Sequence, residues 1–115
     1  MPSINIRRWD EMEPALRQVH GGFDLEGYLF SAFRQVEGQQ DYPAWLFGHL
    51  MYSGFSNYLT WVAQGLTPEE RSEAHRELED KFDGYLRACV DGDVSDAALQ
   101  EVQEMYRMAR DMDAK

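Results

Sequence analysis

The stretch that decides the fold runs from Pro43 to Leu66 and reads PAWLFGHLMYSGFSNYLTWVAQGL. It contains no Asp, Glu, Lys or Arg, and Asp41 is the last charged residue before it. Its apolar residues recur at the three- and four-residue spacing of an α-helix, so they share one side. We therefore predict a central helix over residues 43–65 with a core face made of Phe47, Leu50, Met51, Phe55, Tyr58, Trp61 and Val62.

The opposite side of this helix is polar but uncharged. Solvent-facing helix sides ordinarily carry Lys, Glu and Arg, so an uncharged side indicates a helix that is covered on both sides, by its own chain or by another. Its polar residues are His49, Ser53, Ser56 and Thr60, with Trp45 and Tyr52 at the edges. The sequence thus offers four candidate partner-binding residues. Trp45, Tyr52 and His49 lie on this helix, and Phe30 lies outside the apolar stripe of the preceding helix.

Small residues on the same helix predict self-association. Gly48, Ser53 and Ser56 would let a helix of a second copy approach closely, and a self-complementary contact of this kind forms a homodimer. The uncharged stretch is also long enough to span a bilayer. Its many polar residues and its acidic flanks, Asp41 and Glu69, argue against that reading, so we predict no membrane segment.

Start and stop signals place the other helices. Asp10 reads as the start of a first helix that ends at Gly21 and Gly22, and Phe23 and Asp24 open a second helix. That second helix carries an apolar stripe from Leu25 to Val36, from which Glu26 points away.

The second half of the chain has the most secure boundary. Thr67 to Glu70 combines a capping box with a proline in the first helical position, and we expect this helix to run to about Val90. Ser95 caps a last helix over about residues 96–111, whose stripe includes Met105 and Met112. With a short extended arm from Ile4 to Trp9, these patterns predict an all-α fold, a compact bundle of four to five helices in one domain over residues 1–115.

Composition narrows the function classes. The chain has 115 residues, 43% of them hydrophobic and 28% charged, with 21 acidic against 11 basic residues and a net charge of −10. The basic residues are scattered, so long-range repulsion argues against direct binding of nucleic acid or of an anionic membrane. The single cysteine, Cys89, has no intramolecular disulfide partner, and we expect a buried thiol in a cytoplasmic protein.

No chemistry-bearing motif emerges. His20, His49 and His75 share no metal-binding spacing, and the polar neighbours of His75 place it on a solvent-facing side. The turn from Asp91 to Ser95 begins like a calcium loop but lacks the glycine and the glutamate that such a loop requires. We therefore expect no enzyme, no metal and no cofactor.

Three functions remain open. The first is a small acidic regulatory protein, of antiactivator or inhibitor type, that docks the aromatic-rimmed helix side on a protein partner. The second is an acidic decoy that mimics nucleic acid, as a phage anti-defence inhibitor does, through the column Glu69, Glu73, Glu77 and Asp80. The third is an enzyme or ligand carrier with a pocket that the sequence does not reveal.

Overall fold

Helices make up most of the chain. The computed structural model describes residues 1–21, 24–62 and 64–113, so the readings of Gly22 as a helix stop and of Phe23 as a helix start lie outside the described residues. In chain order the elements are β1 (Ser3–Ile4), α1 (Trp9–His20), α2 (Asp24–Phe33), β2 (Tyr42–Pro43), α3 (Ala44–Val62), α4 (Pro68–Asp80), α5 (Phe82–Cys89) and α6 (Asp96–Asp113). The predicted all-α class is confirmed, with six helices in the described chain instead of four to five.

The additional helix arises where the predicted 67–90 helix is broken. Lys81, with φ −94° and ψ 1°, ends α4 and precedes α5. The change of direction turns Phe82, Tyr85 and Leu86 toward the core, where each is at most 3% exposed. One straight helix was predicted because neither proline nor glycine stands at Lys81 itself, and the nearest glycine, Gly84, lies within α5 and not at the break.

Most of the predicted caps are present. The hydroxyl of Thr67 accepts a hydrogen bond from the Glu70 backbone N–H at 3.1 Å, and the Glu70 carboxylate accepts one from the Thr67 N–H at 3.1 Å. Gly21 ends α1 in the left-handed conformation, with φ 77°. The hydroxyl of Ser95 accepts a bond from the Ala98 N–H at 3.2 Å at the start of α6.

The predicted start of α1 at Asp10 is wrong. The helix begins at Trp9, and Arg8 in the capping position makes no side-chain cap bond. Instead, the Trp9 N–H donates to the Glu37 carboxylate at 3.1 Å, so a residue from a distant loop satisfies a free N–H of the first turn. A cap that comes from 28 residues away leaves no local signal in the sequence.

The extended N-terminal arm joins the start of α3 to the end of α5. β1 pairs antiparallel with β2, which brings Ser3 opposite Pro43, and Ile6 forms a further antiparallel bridge with Val90. Ile4 and Ile6 are 5% and 3% exposed. The arm therefore closes the core over the start of α3 and the end of α5.

α3 lies between two other helices of its own chain. On one side it packs against α6 at Gly48, where an added Cβ would stand 2.5 Å from the Val102 carbonyl oxygen and 2.9 Å from the Met105 Cβ. On the other side it packs against α2 at Gly54, where a Cβ would meet Leu29 at 2.7 Å. The two glycines let both neighbours approach α3 more closely than a side chain would permit.

The predicted core face of α3 is correct in its middle and wrong at its end. Phe47, Met51 and Phe55 are fully buried, whereas Trp61 is 64% and Val62 42% exposed. The last turn of α3 extends beyond the helices that cover its middle, so the apolar stripe continues into solvent. Among the described residues, no helix combines the length and the hydropathy needed to cross a bilayer.

The close approach of α6 to Gly48 predicts a position-specific cost. Replacing Gly48 with alanine should lower the free energy of unfolding by about 2 kcal/mol, because the new methyl group meets a backbone carbonyl that cannot move aside by itself. Gly27, a glycine in α2 with open space around it, is the matched control. Gly27→Ala should be neutral or stabilising by up to about 1 kcal/mol, since alanine favours the helix. Equal urea midpoints for the two variants would contradict this packing.

Candidate docking surface and adjoining cleft

One face of α3 remains open to solvent between α2 and α6, and it carries no charge. His49, Ser53, Asn57 and Thr60 are exposed and Ser56 is half-buried; we call these five residues the α3 strip. The helix has 19 residues, so the strip lies along an element about 28 Å long. An uncharged surface of this length is unusual on a molecule that carries 21 acidic and 11 basic residues.

A tryptophan stands at each end of the strip. Trp45, His49, Ser53, Asn57 and Trp61 follow one another at four-residue intervals, which places them in one row along the helix. Trp45 is half-buried and meets His49 edge to face, with ring centroids 6.5 Å apart. The structure therefore brings together two of the predicted partner-binding residues, Trp45 and His49, on one accessible row.

Methionines of α6 border the same surface. Met105 lies beside Gly48, and Met108 and Met112 follow on the same side of α6, 52% and 72% exposed. We call these three residues the methionine ridge. The sequence reading assigned Met112 to the core stripe, which is wrong because the final turn of α6 continues past the core. Unbranched methionine side chains adapt to partners of different shape, and they recur at binding surfaces.

Tyr52 was predicted to be an exposed anchor for a partner, but its ring is packed against other side chains of its own chain. Its ring stacks on His75, with centroids 5.9 Å apart and an interplanar angle of 9°, and meets Tyr106 edge to face at 5.7 Å. Its hydroxyl is buried without a hydrogen-bond partner among the described residues. Burial, and after it the Asp113 carboxylate, raises the pKa of Tyr52 to about 12. Tyr52 thus belongs largely to the internal packing between α3, α4 and α6.

Phe30 lies on a different surface from the α3 strip. It is 41% exposed and packs edge to face against Trp9, with centroids 5.1 Å apart. Next to this pair, Arg17 Nε donates to Glu26 Oε1 at 2.7 Å. Glu26 is only 6% exposed, so the prediction that it points away from the core is wrong; the arginine of α1 supplies the counter-charge that its burial requires.

The predicted self-association residues do not all remain available. Gly48 is occupied by α6 of the same chain, so it cannot admit a helix of a second copy. Ser53 is exposed and Ser56 half-buried on the strip, and self-association through these two serines stays a prediction. Gly48 was predicted to contact a second copy of the chain, but it contacts α6 of its own chain instead.

A cleft of about 740 Å³ lies between α4 and α6, and one of its lining residues, His75, stacks on Tyr52. Three arginines, Arg71, Arg76 and Arg110, line it together with His75, and the segment from Leu66 to Pro68 forms an apolar part of its wall. Arg110 binds Glu79, with Asp111 at 3.4 Å. No pattern in the sequence indicated the cleft, because its residues come from two stretches far apart in the chain, 66–76 and 110–113.

His75 is at the base of this cleft and is 7% exposed. The solvent-facing position predicted for it is wrong, since its polar helical neighbours surround a side chain that α3 and α6 cover. His75 Nδ1 and the Tyr106 hydroxyl are 3.4 Å apart. Burial lowers the pKa of His75, Arg71 and Arg110 lower it further, and Asp113 and Glu79 partly oppose them.

Two other groups, the half-buried His20 and the buried Cys89, have internal roles. His20 Nδ1 and the Tyr85 hydroxyl form a hydrogen bond of 2.7 Å beside a cavity of about 130 Å³, and burial followed by Lys81 lowers the pKa of His20. Cys89 is buried, as predicted, and burial raises the pKa of its thiol to about 12. A thiol of this kind stays protonated near neutral pH and is a poor nucleophile.

Acidic residues cover the outside of α4. All four residues of the acidic column are exposed: Glu69, Glu73, Glu77 and Asp80. Glu73 pairs with Arg76 at 3.2 Å across a solvent-exposed gap, where an ion pair contributes little to stability. Within the described residues, no three His, Cys, Asp or Glu side chains come together as a group that could hold a metal ion.

Burial of His75 predicts a pH dependence. Because its folded-state pKa lies below the unfolded value of 6.5, the unfolded chain binds this proton first as the pH falls. The free energy of unfolding should therefore decrease as the pH falls below about 6.5. His75→Gln removes this contribution, so urea unfolding between pH 7 and 5 should show a shallower loss of stability in the variant. Parallel pH profiles would show that the proton on His75 makes no difference to folding.

Comparison of the chain with protein-family models, with curated protein sequences and with solved structures found no match.

Proposed function

We propose that this protein is a small acidic regulatory protein that docks the α3 strip and the methionine ridge onto an amphipathic helix of a protein partner. The observation that carries the proposal is the uncharged, solvent-exposed row on α3, which has a tryptophan at each end. A partner helix that covers this surface buries tryptophan and methionine without desolvating a single charge of α3. The desolvation cost that charged surfaces impose on binding is therefore low here.

The shape of the surface favours a helix as the occupant. α3 and α6 pack against each other at Gly48, and each carries a row of side chains along its own helix, the strip on α3 and the ridge on α6. A helix presents its apolar residues at three- and four-residue intervals and can lay them between such rows. By occupying a helix that the partner uses for its own assembly, the protein would act as an inhibitor or antiactivator.

The acidic surface around this site has a supporting role in the proposal. Net charge far from zero keeps a protein soluble despite exposed apolar groups, and at a rim it selects against acidic partners. The single cysteine is buried and needs no oxidising compartment. We therefore place this activity in the cytoplasm.

The decoy remains a second candidate because all four residues of the acidic column on α4 are exposed. A nucleic-acid-binding groove would contact these carboxylates and release counterions, so the complex would weaken steeply with salt. Binding through the α3 strip would change little with salt. A decoy should therefore bind through the acidic column with an affinity that falls as salt rises. A docking protein should bind through the α3 strip with an affinity that salt changes little.

The first experiment places a charge in the strip. Ser53→Glu should reduce the partner recovered from a native lysate at least about tenfold, because an unpaired carboxylate would be buried in the interface. The control replaces Glu69, Glu73 and Glu77 with glutamine and should keep affinity within about threefold at low and high salt. If the control variant loses binding and Ser53→Glu does not, the decoy replaces the proposed function.

The second experiment compares two half-buried tryptophans on different surfaces. Trp45→Ala should weaken partner binding about thirtyfold, as is typical of an interface anchor. Trp9→Ala, which removes the neighbour of Phe30, is matched in size and burial class and should bind normally. Melting temperatures of both variants separate binding from folding. Loss of binding in Trp9→Ala alone would move the interface to the surface around Phe30.

In the absence of a partner, we propose that two copies cover each other's strip as a homodimer. A symmetric contact places Ser53 near its own copy, so Ser53→Glu would set two carboxylates against each other and should release monomers. Light scattering at about 100 μM, where a contact of standard size persists, measures the mass. A monomeric wild-type protein at this concentration would leave the strip entirely to the other partner.

A further inference from the structure

The cleft between α4 and α6 is locally basic on an acidic molecule. Three of its wall residues are arginines, against two acids, Asp111 and Asp113. The molecule as a whole has almost twice as many acidic as basic residues. The cleft has a volume of about 740 Å³, which lies in the range of small-molecule sites. The cavity beside His20 has a volume of only about 130 Å³.

Arg71 is the arginine of this cleft that is least tightly bound. Its guanidinium is 3.8 Å from the Asp113 carboxylate, which is too long for a hydrogen bond, and 3.5 Å from the Thr60 hydroxyl. The side chains of Arg71 and Asp113 are 37% and 51% exposed. A guanidinium has five N–H donors in a planar fork that fits a carboxylate in two parallel bonds. The Arg71–Asp113 pair does not reach that geometry.

The Tyr52 hydroxyl is a second incompletely used donor at the same place. It is buried and makes no hydrogen bond of good geometry among the described residues, although the Asp113 carboxylate and Ser56 lie close enough to shift its pKa. A buried hydroxyl without a partner is costly, so it calls for an acceptor that completes the site. Arg71 and Tyr52 are thus the two donors beside the Asp113 carboxylate, and neither makes a hydrogen bond of good geometry with it.

We infer that this cleft binds the carboxylate of a small organic acid with an apolar tail, held by Arg71 and the Tyr52 hydroxyl in place of Asp113. The apolar wall at Leu66 and Pro68 suits the tail. A singly charged carboxylate fits better than a phosphate dianion, since Asp111 and Glu79 on the Arg110 side would repel the second charge.

Asp113 acts in this site as an internal competitor. It is the last residue of α6, and the final turn of a helix opens at little cost because its carbonyl groups make no bonds within the helix. A ligand therefore needs to displace only one loosely held carboxylate. This inference does not depend on the proposed docking function, because the ligand contacts neither the methionine ridge nor the exposed row of the strip from Trp45 to Trp61.

Calorimetric titration of the full chain with octanoate tests the inference. Octanoate should bind, whereas octanamide, which has the same tail without the charge, should bind at least about tenfold more weakly because it lacks the charge-assisted bonds. Inorganic phosphate should not compete. Equal binding of the acid and the amide, or binding of phosphate alone, would overturn the inference.

Variants assign the binding to the proposed donors. Arg71→Gln should weaken octanoate at least about tenfold and Tyr52→Phe about threefold, since each removes a hydrogen bond to the carboxylate. Arg87→Gln on the exposed side of α5 is the control and should bind as the wild type does. Melting temperatures establish that each variant is folded.

The most selective variant is Asp113→Asn. Loss of the competing carboxylate should strengthen octanoate binding by about threefold or more, a gain that no unfolding defect can imitate. Weaker or unchanged binding in this variant would contradict the role of Asp113. Ser53→Glu, which tests the docking surface, should leave octanoate affinity unchanged, so a failure of either idea can be told from a failure of the other.

Discussion

The contact between the backbones of α3 and α6 at Gly48 determines the rest of the structure. Since an added Cβ would stand 2.5 Å from the Val102 carbonyl oxygen, the two helices are closer than any other residue would allow. At this distance Tyr106 of α6 reaches both Tyr52 and Phe55 of α3. The aromatic centre of the core, the direction of α6 and the position of its last turn all follow from this approach.

The close packing of α3 against its neighbouring helices explains the absence of charge on α3 only in part. Coverage by α6 and α2 accounts for its two glycines, Gly48 and Gly54, and for the buried aromatic side chains of its core face. It does not account for the exposed row from Trp45 to Trp61, because solvent would accept Lys or Glu at His49, Ser53 and Asn57 without cost to the fold. The absence of charge there is therefore a property that folding does not require, and this is why we connect it with binding.

Local signals in the sequence were sufficient for the all-α class and for several helix ends and core positions, and insufficient for the sites. The capping box at Thr67, the glycine stop at Gly21 and the core positions Phe47, Met51 and Phe55 were predicted because the neighbouring residues alone determine them. The break at Lys81 and the buried positions of Glu26 and His75 depend on partners far away in the chain. Trp45 and His49 could be placed together by helical spacing, but the cleft could not be foreseen since α4 and α6 meet only through the fold.

The two candidate surfaces share the last turn of α6, and this links them physically. Met112 belongs to the methionine ridge and Asp113, the next residue, approaches Arg71 in the cleft at 3.8 Å. Arg71 in turn is 3.5 Å from the hydroxyl of Thr60, which lies in the α3 strip. The ends of helices open more easily than their middles, so the part of the molecule where the two surfaces meet is also the part that changes shape at the lowest cost.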